Sequence, residues 1–313
     1  MSRNETGAGM FDRRKFAQLA AASTLLLACR PSPGSAAPGS WSARIAALEA
    51  DRNVRLGACV LDLATGATVG WRQDERFALC SSFKLSLAAL VLREADAGRL
   101  DLAERIDYLE ADLMPVSPVT RANLGKGMTL AALAEATQVT SDNAAANLLL
   151  AKIGGPPALT RFWRSLGDRQ SRLDRNEPAL NSVFPGDPRD TTTPAAMARS
   201  LHALLGPRVL SSASRARLEG WMAATQTGTR RIRAGLRAGW VAGDKTGTGL
   251  FENQPSHYID LALATAPSGR RIVITGFVAT TVPQRSVDPA LEALLARLGS
   301  IAAEWAEATP RQA

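Results

Sequence analysis

Ser81-Ser82-Phe83-Lys84-Leu85-Ser86-Leu87-Ala88-Ala89-Leu90-Val91-Leu92 is the stretch from which the rest of the chain can be read. From Phe83 to Leu92 all but two positions are apolar, so a helix here is apolar nearly all round and belongs in the middle of a domain. Ser81 and Lys84 stand three apart, which puts both side chains on one face if the helix begins near Ser81. A serine hydroxyl is a poor nucleophile until a neighbouring base accepts its proton, and Lys84 is placed to serve it. Burial disfavours the charged form of that lysine while nearby carboxylates favour it, so its resting protonation state stays open. A helix start under Ser81 also aims backbone N–H groups at the place where an oxyanion would develop.

Taken alone, Ser-x-x-Lys arises by chance and usually means a helix cap with a solvated lysine. Three further motifs follow it in fixed order: Ser141-Asp142-Asn143, Glu177-Pro178-Ala179-Leu180-Asn181 and Lys245-Thr246-Gly247, about 60, 36 and 68 residues apart. Only five lysines are present (Lys15, Lys84, Lys126, Lys152 and Lys245), and two of them fall in these motifs. Ser141-Asp142-Asn143 ahead of an alanine- and leucine-rich run also reads as a helix N-cap, and the two readings are compatible. With only His202 and His257 in the chain and no Gly-x-Ser-x-Gly turn, a histidine-based triad has little support. The histidine count equally excludes a multi-histidine zinc hydrolase.

From about Trp41 to Trp305 the chain resembles the class A serine β-lactamases, which carry these four motifs at these separations. The resemblance implies that Ser81 is the acylated nucleophile, Lys84 its partner and Ser141 the proton relay to the leaving lactam nitrogen. Asn143 would contact the substrate's side-chain amide, and Glu177 with Asn181 would hold and activate the hydrolytic water. Lys245, Thr246 and Thr248, with Gly247 between them, would form the subsite for the substrate carboxylate. Either Lys84 or Glu177 serves as the acylation base in this scheme. The implied substrate is a small-molecule β-lactam, with no cofactor, no metal, no nucleic-acid partner and a monomeric chain.

Arg172 to Asp190 is a 19-residue stretch with three prolines and little periodicity, too long for an ordinary connection and suited to a functional loop. It is similar to the family's Ω-loop, and the likeness implies an Arg175–Asp190 ion pair at its neck and a cis Glu177–Pro178 bond. Some class A enzymes bridge a cysteine two residues after Lys-Thr-Gly to one before the nucleophile. This chain has Cys80 but Gly249, so that disulfide is ruled out. Pro255, Ser256 and His257 stand where many relatives place an arginine. Arg231 matches the alternative arginine of other members and would supply that charge, the bland reading being a surface arginine. Val116 stands where many relatives have an aromatic gatekeeper, which implies a wider or less adhesive cleft.

Residues 1–37 form a separate unit. Arg13-Arg14-Lys15-Phe16 precedes an apolar stretch from Leu19 to Ala28 that is too short to span a membrane and suits a signal peptide. The paired arginines resemble a twin-arginine export signal, which implies a periplasmic protein. Leu26-Leu27-Ala28-Cys29 resembles a lipobox, whose product would be anchored by lipid at Cys29; cleavage near Ala36–Ala37 is the rival. Of the formal charge of +8, this leader carries about three units, and the rest is scattered among acids without the aromatic-interleaved patch of a nucleic-acid surface. Cys59 sits in a strand pattern on the face with Leu61 and Leu63, opposite Leu56, Ala58 and Val60, where a buried thiol is expected.

At 313 residues and 46% apolar, the chain can bury a sizeable core. A helix at 42–51, strands at 54–62 and 67–72, a mostly helical middle from 81 to 223, strands at 240–248, 258–265 and 271–280 and an amphipathic helix at 289–306 segregate by type. That order predicts an α+β fold, β-lactamase/transpeptidase-like, with an antiparallel five-stranded sheet flanked by helices and an all-helical lobe. Residues 41–72 with 224–313 would make the α/β lobe, 73–223 the helical lobe including the Ω-loop. A penicillin-binding DD-peptidase or a related glutaminase would lack Glu177 and Asn181. A non-hydrolytic β-lactam sensor would need a membrane-spanning run of 18 or more apolar residues.

Overall fold

The computed structural model of the protein describes residues 39–50 and 52–309; the expected leader, its arginine pair and Cys29 lie outside them. Helix α1 (Trp41–Ala50) leads into β1 (Val54–Asp62) and β2 (Thr68–Trp71), joined by a turn in which Gly66 takes the left-handed φ of 72° that a side chain would resist. The chain returns to this sheet only near its end, as β7 (Val241–Gly249), β8 (His257–Thr265) and β9 (Arg271–Thr280), before closing with α9 (Pro289–Ala308). The five strands are antiparallel in the order β2-β1-β9-β8-β7, with β1 and β9 in register from Val54↔Thr280 to Asp62↔Ile272. Strand β7, which carries Lys245-Thr246-Gly247, is therefore an edge strand.

Both faces of the sheet are buried, and the period of two along β1 sorts its side chains between them. Leu56, Ala58 and Val60 pack with Ile45 and Leu48 of α1 and Leu291, Leu295 and Leu298 of α9. Cys59 and Leu61 face the other way, into a core shared with the helical segment. Cys59 is a free, buried thiol, as its strand position implies, and burial pushes its pKa up to about 12. Cys80 is also free.

Between β2 and β7 run the helices α2 (Phe83–Asp96), α3 (Pro118–Ala122), α4 (Leu130–Val139), α5 (Asn143–Ile153), α6 (Pro156–Ser165), α7 (Pro194–Leu205) and α8 (Ser212–Ala223). This segment is not purely helical: Phe77–Ala78 (β3) pairs with Thr191–Thr192 (β6), and Arg105–Ile106 (β4) with Met128–Thr129 (β5). Two-residue strands leave no alternation to read, which is why the sequence pattern does not disclose them. Every residue of α2 from Phe83 to Leu92 is buried, as an all-round apolar helix requires. Its Ser86 Oγ accepts a 3.0 Å hydrogen bond from Nε1 of the fully buried Trp163 of α6.

Gly276 of β9 lets α9 lie close on the sheet, because a Cβ there would stand 2.8 Å from Cδ2 of Leu298. Leu298 itself is fully buried. Leu298→Ala would open a void above a residue with no side chain to fill it, so unfolding in urea should show a loss of about 2–5 kcal/mol, towards the upper end. A loss below about 1 kcal/mol would mean that α9 settles into the gap.

Candidate active site

A single helical turn, Cys80–Ser82, presents Ser81 and runs straight into α2, so the serine sits at the N-terminal mouth of a buried 14-residue helix. Ser81 Oγ donates to Glu177 Oε1 at 2.9 Å and accepts from Lys84 Nζ at 2.9 Å. Lys84, fully buried, also donates to the Ser141 carbonyl at 2.9 Å and to Asn143 Oδ1, and stands 3.0 Å from Glu177 Oε1. Burial pulls its pKa below the usual lysine value, an effect the Glu177 charge opposes.

Asp142 does the capping that its motif implies: Oδ1 accepts from Ala145 N at the start of α5, while Oδ2 accepts from the Val119 and Thr120 amides of α3. That double cap fixes Ser141, whose φ of 60° is unusual for a residue with a side chain. Ser141 Oγ lies 3.0 Å from Lys245 Nζ, which donates to it and to the Thr246 carbonyl at 2.7 Å. Lys245 is fully buried, and its pKa falls well below the usual lysine range because of burial and then the Lys84 charge. Gly247 lets β7 approach the turn that carries Ser81, since a Cβ there would meet the Leu79 carbonyl at 2.9 Å and Ser82 N at 3.1 Å.

The loop from Arg172 to Asp190 brings Glu177 from the other side. Its neck is closed by Arg175 Nε to Asp190 Oδ2 at 2.6 Å, and Asp190 Oδ1 accepts from the Asp174 and Arg175 amides. The Glu177–Pro178 bond is cis, as expected. Asn181 Nδ2 donates to Glu177 Oε2 at 2.6 Å. A residue not singled out from the sequence completes the mount: Asn147 Nδ2 donates to the Glu177 carbonyl at 2.9 Å and its Oδ1 accepts from Glu177 N at 3.0 Å. Its only sequence signal is its place four residues after Asn143, on the same face of α5.

These groups open on a cleft of about 400 Å³ lined by Ser81, Ser141, Asn143, Glu177, Asn181, Arg231, Thr246 and Thr248 among others. Lys84, Lys245 and Gly247 stand behind that lining. Arg231 is no surface arginine: it is 3% exposed, donates to the Gly247 and Ile259 carbonyls and to Thr248 Oγ1 at 2.7 Å, and lies 3.3 Å from Glu292. Val116 lines the mouth with its side chain exposed and a φ of 60°. Gly249 lies against Cys80, its would-be Cβ 3.1 Å from the thiol sulfur. Among the described residues no cluster of His, Cys, Asp or Glu could hold a metal ion.

This arrangement brings a serine hydroxyl, a buried lysine and a carboxylate into mutual contact at one cleft. The sequence matches the Beta-lactamase enzyme family over residues 40–306. It is 46% identical over 250 residues to Beta-lactamase L2 of Stenotrophomonas maltophilia, covering 76% of this chain and 82% of that protein. Among solved structures, an ancestral class A β-lactamase (GNCA) superposes with a TM-score of 0.80 at 48% identity, covering 85% of this chain and 100% of that one. A β-lactamase from Xanthomonas campestris gives 0.79 at 40% identity over 84% and 96% of the two chains. The chain belongs to the β-lactamase enzyme family, in class A.

His257, at the start of β8, is buried beside the loop. Burial pushes its pKa from 6.5 down to about 4, against a weaker raising effect of the Val183 backbone. Between those two pH values the unfolded chain binds a proton that the folded chain does not, so stability falls as pH drops through the window, by on the order of 3 kcal/mol from this residue. Urea unfolding stepped from pH 7 to 4 should therefore show a steeper decline for wild type than for His257→Phe. Parallel slopes would show that His257 keeps an ordinary pKa.

Proposed function

We propose that the protein hydrolyses β-lactam antibiotics through an acyl-enzyme at Ser81 and so confers resistance to them. The carrying observation is that Ser81 Oγ touches both Lys84 Nζ and Glu177 Oε1 at 2.9 Å. Ser81 Oγ attacks the lactam carbonyl while its proton passes to Lys84 or to Glu177, which stand at equal distance. Helix-terminal N–H groups at Ser81 stabilise the developing oxyanion. The lactam C–N bond breaks as Ser141, held between Lys84 and Lys245, returns a proton to the departing nitrogen. A water held by Glu177 and Asn181 then attacks the ester, giving its proton to Glu177; the acyl C–O bond breaks and Ser81 is restored. Asn143 receives the substrate's side-chain amide, and Thr246, Thr248 and Arg231 its carboxylate, with Lys245 adding charge from behind.

Arg231 has its guanidinium donors aimed along β7, and charge-assisted hydrogen bonds to a carboxylate contribute roughly 1.5–3 kcal/mol. Arg231→Ala should lower kcat/KM about 10- to 150-fold for β-lactams that bear the carboxylate. An unchanged value would leave that subsite to the threonines and Lys245.

Glu177→Ala should still be acylated by a good penicillin but release product about 10²–10⁴-fold more slowly. A burst near one equivalent and a drug-sized mass increase on the Ser81 peptide would be seen, and Ser81→Ala should show neither. Turnover at the wild-type rate in Glu177→Ala would overturn the assignment. Wild type that stays acylated for hours would mark a β-lactam-binding protein instead.

Export rests on residues 1–37. The paired Arg13-Arg14 and Cys29 support secretion by the twin-arginine route and a lipid anchor in the periplasm. On that reading the protein pellets with membranes and Cys29→Ser releases it or blocks processing. A wholly soluble periplasmic protein beginning near Ala37 would refute the anchor.

A further inference from the structure

A second cavity, of about 540 Å³, lies between the tip of the loop at Val183–Asp187 and the ends of β8 and β9, and shares no lining residue with the Ser81 cleft. Its apolar walls come from Phe77, Val183, Phe184, Pro185, Pro255 and Ala279. Phe184 leaves 54% of its surface exposed there, an unusual place for a phenylalanine. The charged groups at the rim are engaged: Arg55 pairs with Glu75 at 3.0 Å, Asp187 with Arg189 at 2.8 Å, and Arg76 donates to the Gln170 carbonyl and Thr191 Oγ1. Arg76 meets only neutral acceptors and keeps its charge at the rim, whereas the apolar inner walls around His257 favour a neutral guest.

One polar group stands out. His257 lines the cavity, is 6% exposed, and its Nε2 is buried with no hydrogen-bond partner. A buried polar atom left unpaired is unfavourable by about 1–3 kcal/mol, which a ligand's hydrogen bond would recover. The same imidazole meets Phe251 edge-on, ring centroids 6.3 Å apart, and Phe251 lines the Ser81 cleft. It also lies beside the Val183 backbone in the loop that carries Glu177. His257 thus touches the rear cavity, a wall of the front cleft and, at Val183, the loop that carries Glu177.

We propose that the rear cavity binds a small neutral hydroxyarene, its ring between Phe77, Phe184 and Pro185 and its hydroxyl hydrogen-bonded to His257. Occupancy alters turnover at Ser81 through Phe251 and the loop. A hydroxyl suits either tautomer of a neutral imidazole, because it both donates and accepts. A flat ring suits walls built of aromatic and proline surfaces. The binding half stands on the cavity alone, whereas the coupling half rests on the function proposed above for Glu177.

The chain has only two histidines, so imidazole ¹⁵N resonances of the full-length protein report His257 with His202 as an internal control. Titrated with 2-naphthol at pH 7, the His257 signals should shift saturably and those of His202 should not. Naphthalene, which lacks the hydroxyl, should bind about tenfold more weakly. Phe184→Ala should weaken 2-naphthol about tenfold, while its Ser81 is still acylated by a penicillin at the wild-type rate. With the cavity saturated, kcat for a chromogenic cephalosporin should change by at least about twofold without competition for the substrate. His257 signals that stay fixed up to the solubility limit, or purely competitive inhibition, would overturn the site. A shifted His257 with unaltered kcat would overturn the coupling. Failure of the unliganded wild type to hydrolyse the cephalosporin would instead refute the function and leave the binding result standing.

Discussion

Everything around Ser81 is arranged so that an ammonium group, that of Lys84, can sit wholly out of water. Removing such a charge from solvent costs several kcal/mol unless close partners replace its hydration. Those partners come from three parts of the chain: Ser81 on the turn before α2, the Ser141 carbonyl and Asn143 Oδ1 at the start of α5, and the Glu177 carboxylate from the loop. A helix apolar on every side fixes the base of Lys84, and its head must then be met by groups that other elements deliver. The left-handed backbone of Cys80, Ser141 and Asp190, at φ 42°, 60° and 54°, is placed where those deliveries are made. Such conformations persist only where surrounding contacts over-determine them.

The second cation, Lys245, tightens the same constraint. It enters from an edge strand whose Gly247 permits close approach, and meets Lys84 across Ser141. Two buried lysines sharing one serine hydroxyl disfavour each other's charge, which lowers the pKa of Lys245 beyond what burial does. A hydroxyl held between two depressed lysines can pass a proton either way with little reorganisation. On β7 beside Lys245, burial raises the Asp244 pKa to about 6 despite its 2.6 Å contact with Arg233, and the neighbouring Asp260 carboxyl is raised by burial and then by the Asp244 charge.

Much of this was legible in the sequence because the chemistry-bearing residues sit in short motifs with local meaning. Ser81 and Lys84 share a helix face by spacing alone, and the alternation of β1 assigned Cys59 to the face where it is found. The likeness to class A enzymes supplied the loop's neck and its cis bond, which no local pattern dictates. What the sequence concealed depends on contacts between residues far apart in the chain. Asn147 grips the Glu177 backbone across 30 positions, Thr120 shares Asp142 across 22, and Arg231 finds Glu292 across 61. Nothing in a local window distinguishes that buried arginine from its many exposed neighbours, and the rear cavity beside His257 arises only when the loop tip folds over the sheet ends.

The most direct test of this account is the titration of Lys84 itself, read from Nζ and Cε resonances in lysine-labelled protein, where only five lysines compete for assignment. The account predicts that Lys84 titrates below the ordinary value of 10.5, and lower still in Glu177→Gln, where the opposing carboxylate charge is gone. A Lys84 that titrates at or above 10.5, or that does not respond to Glu177→Gln, would contradict it.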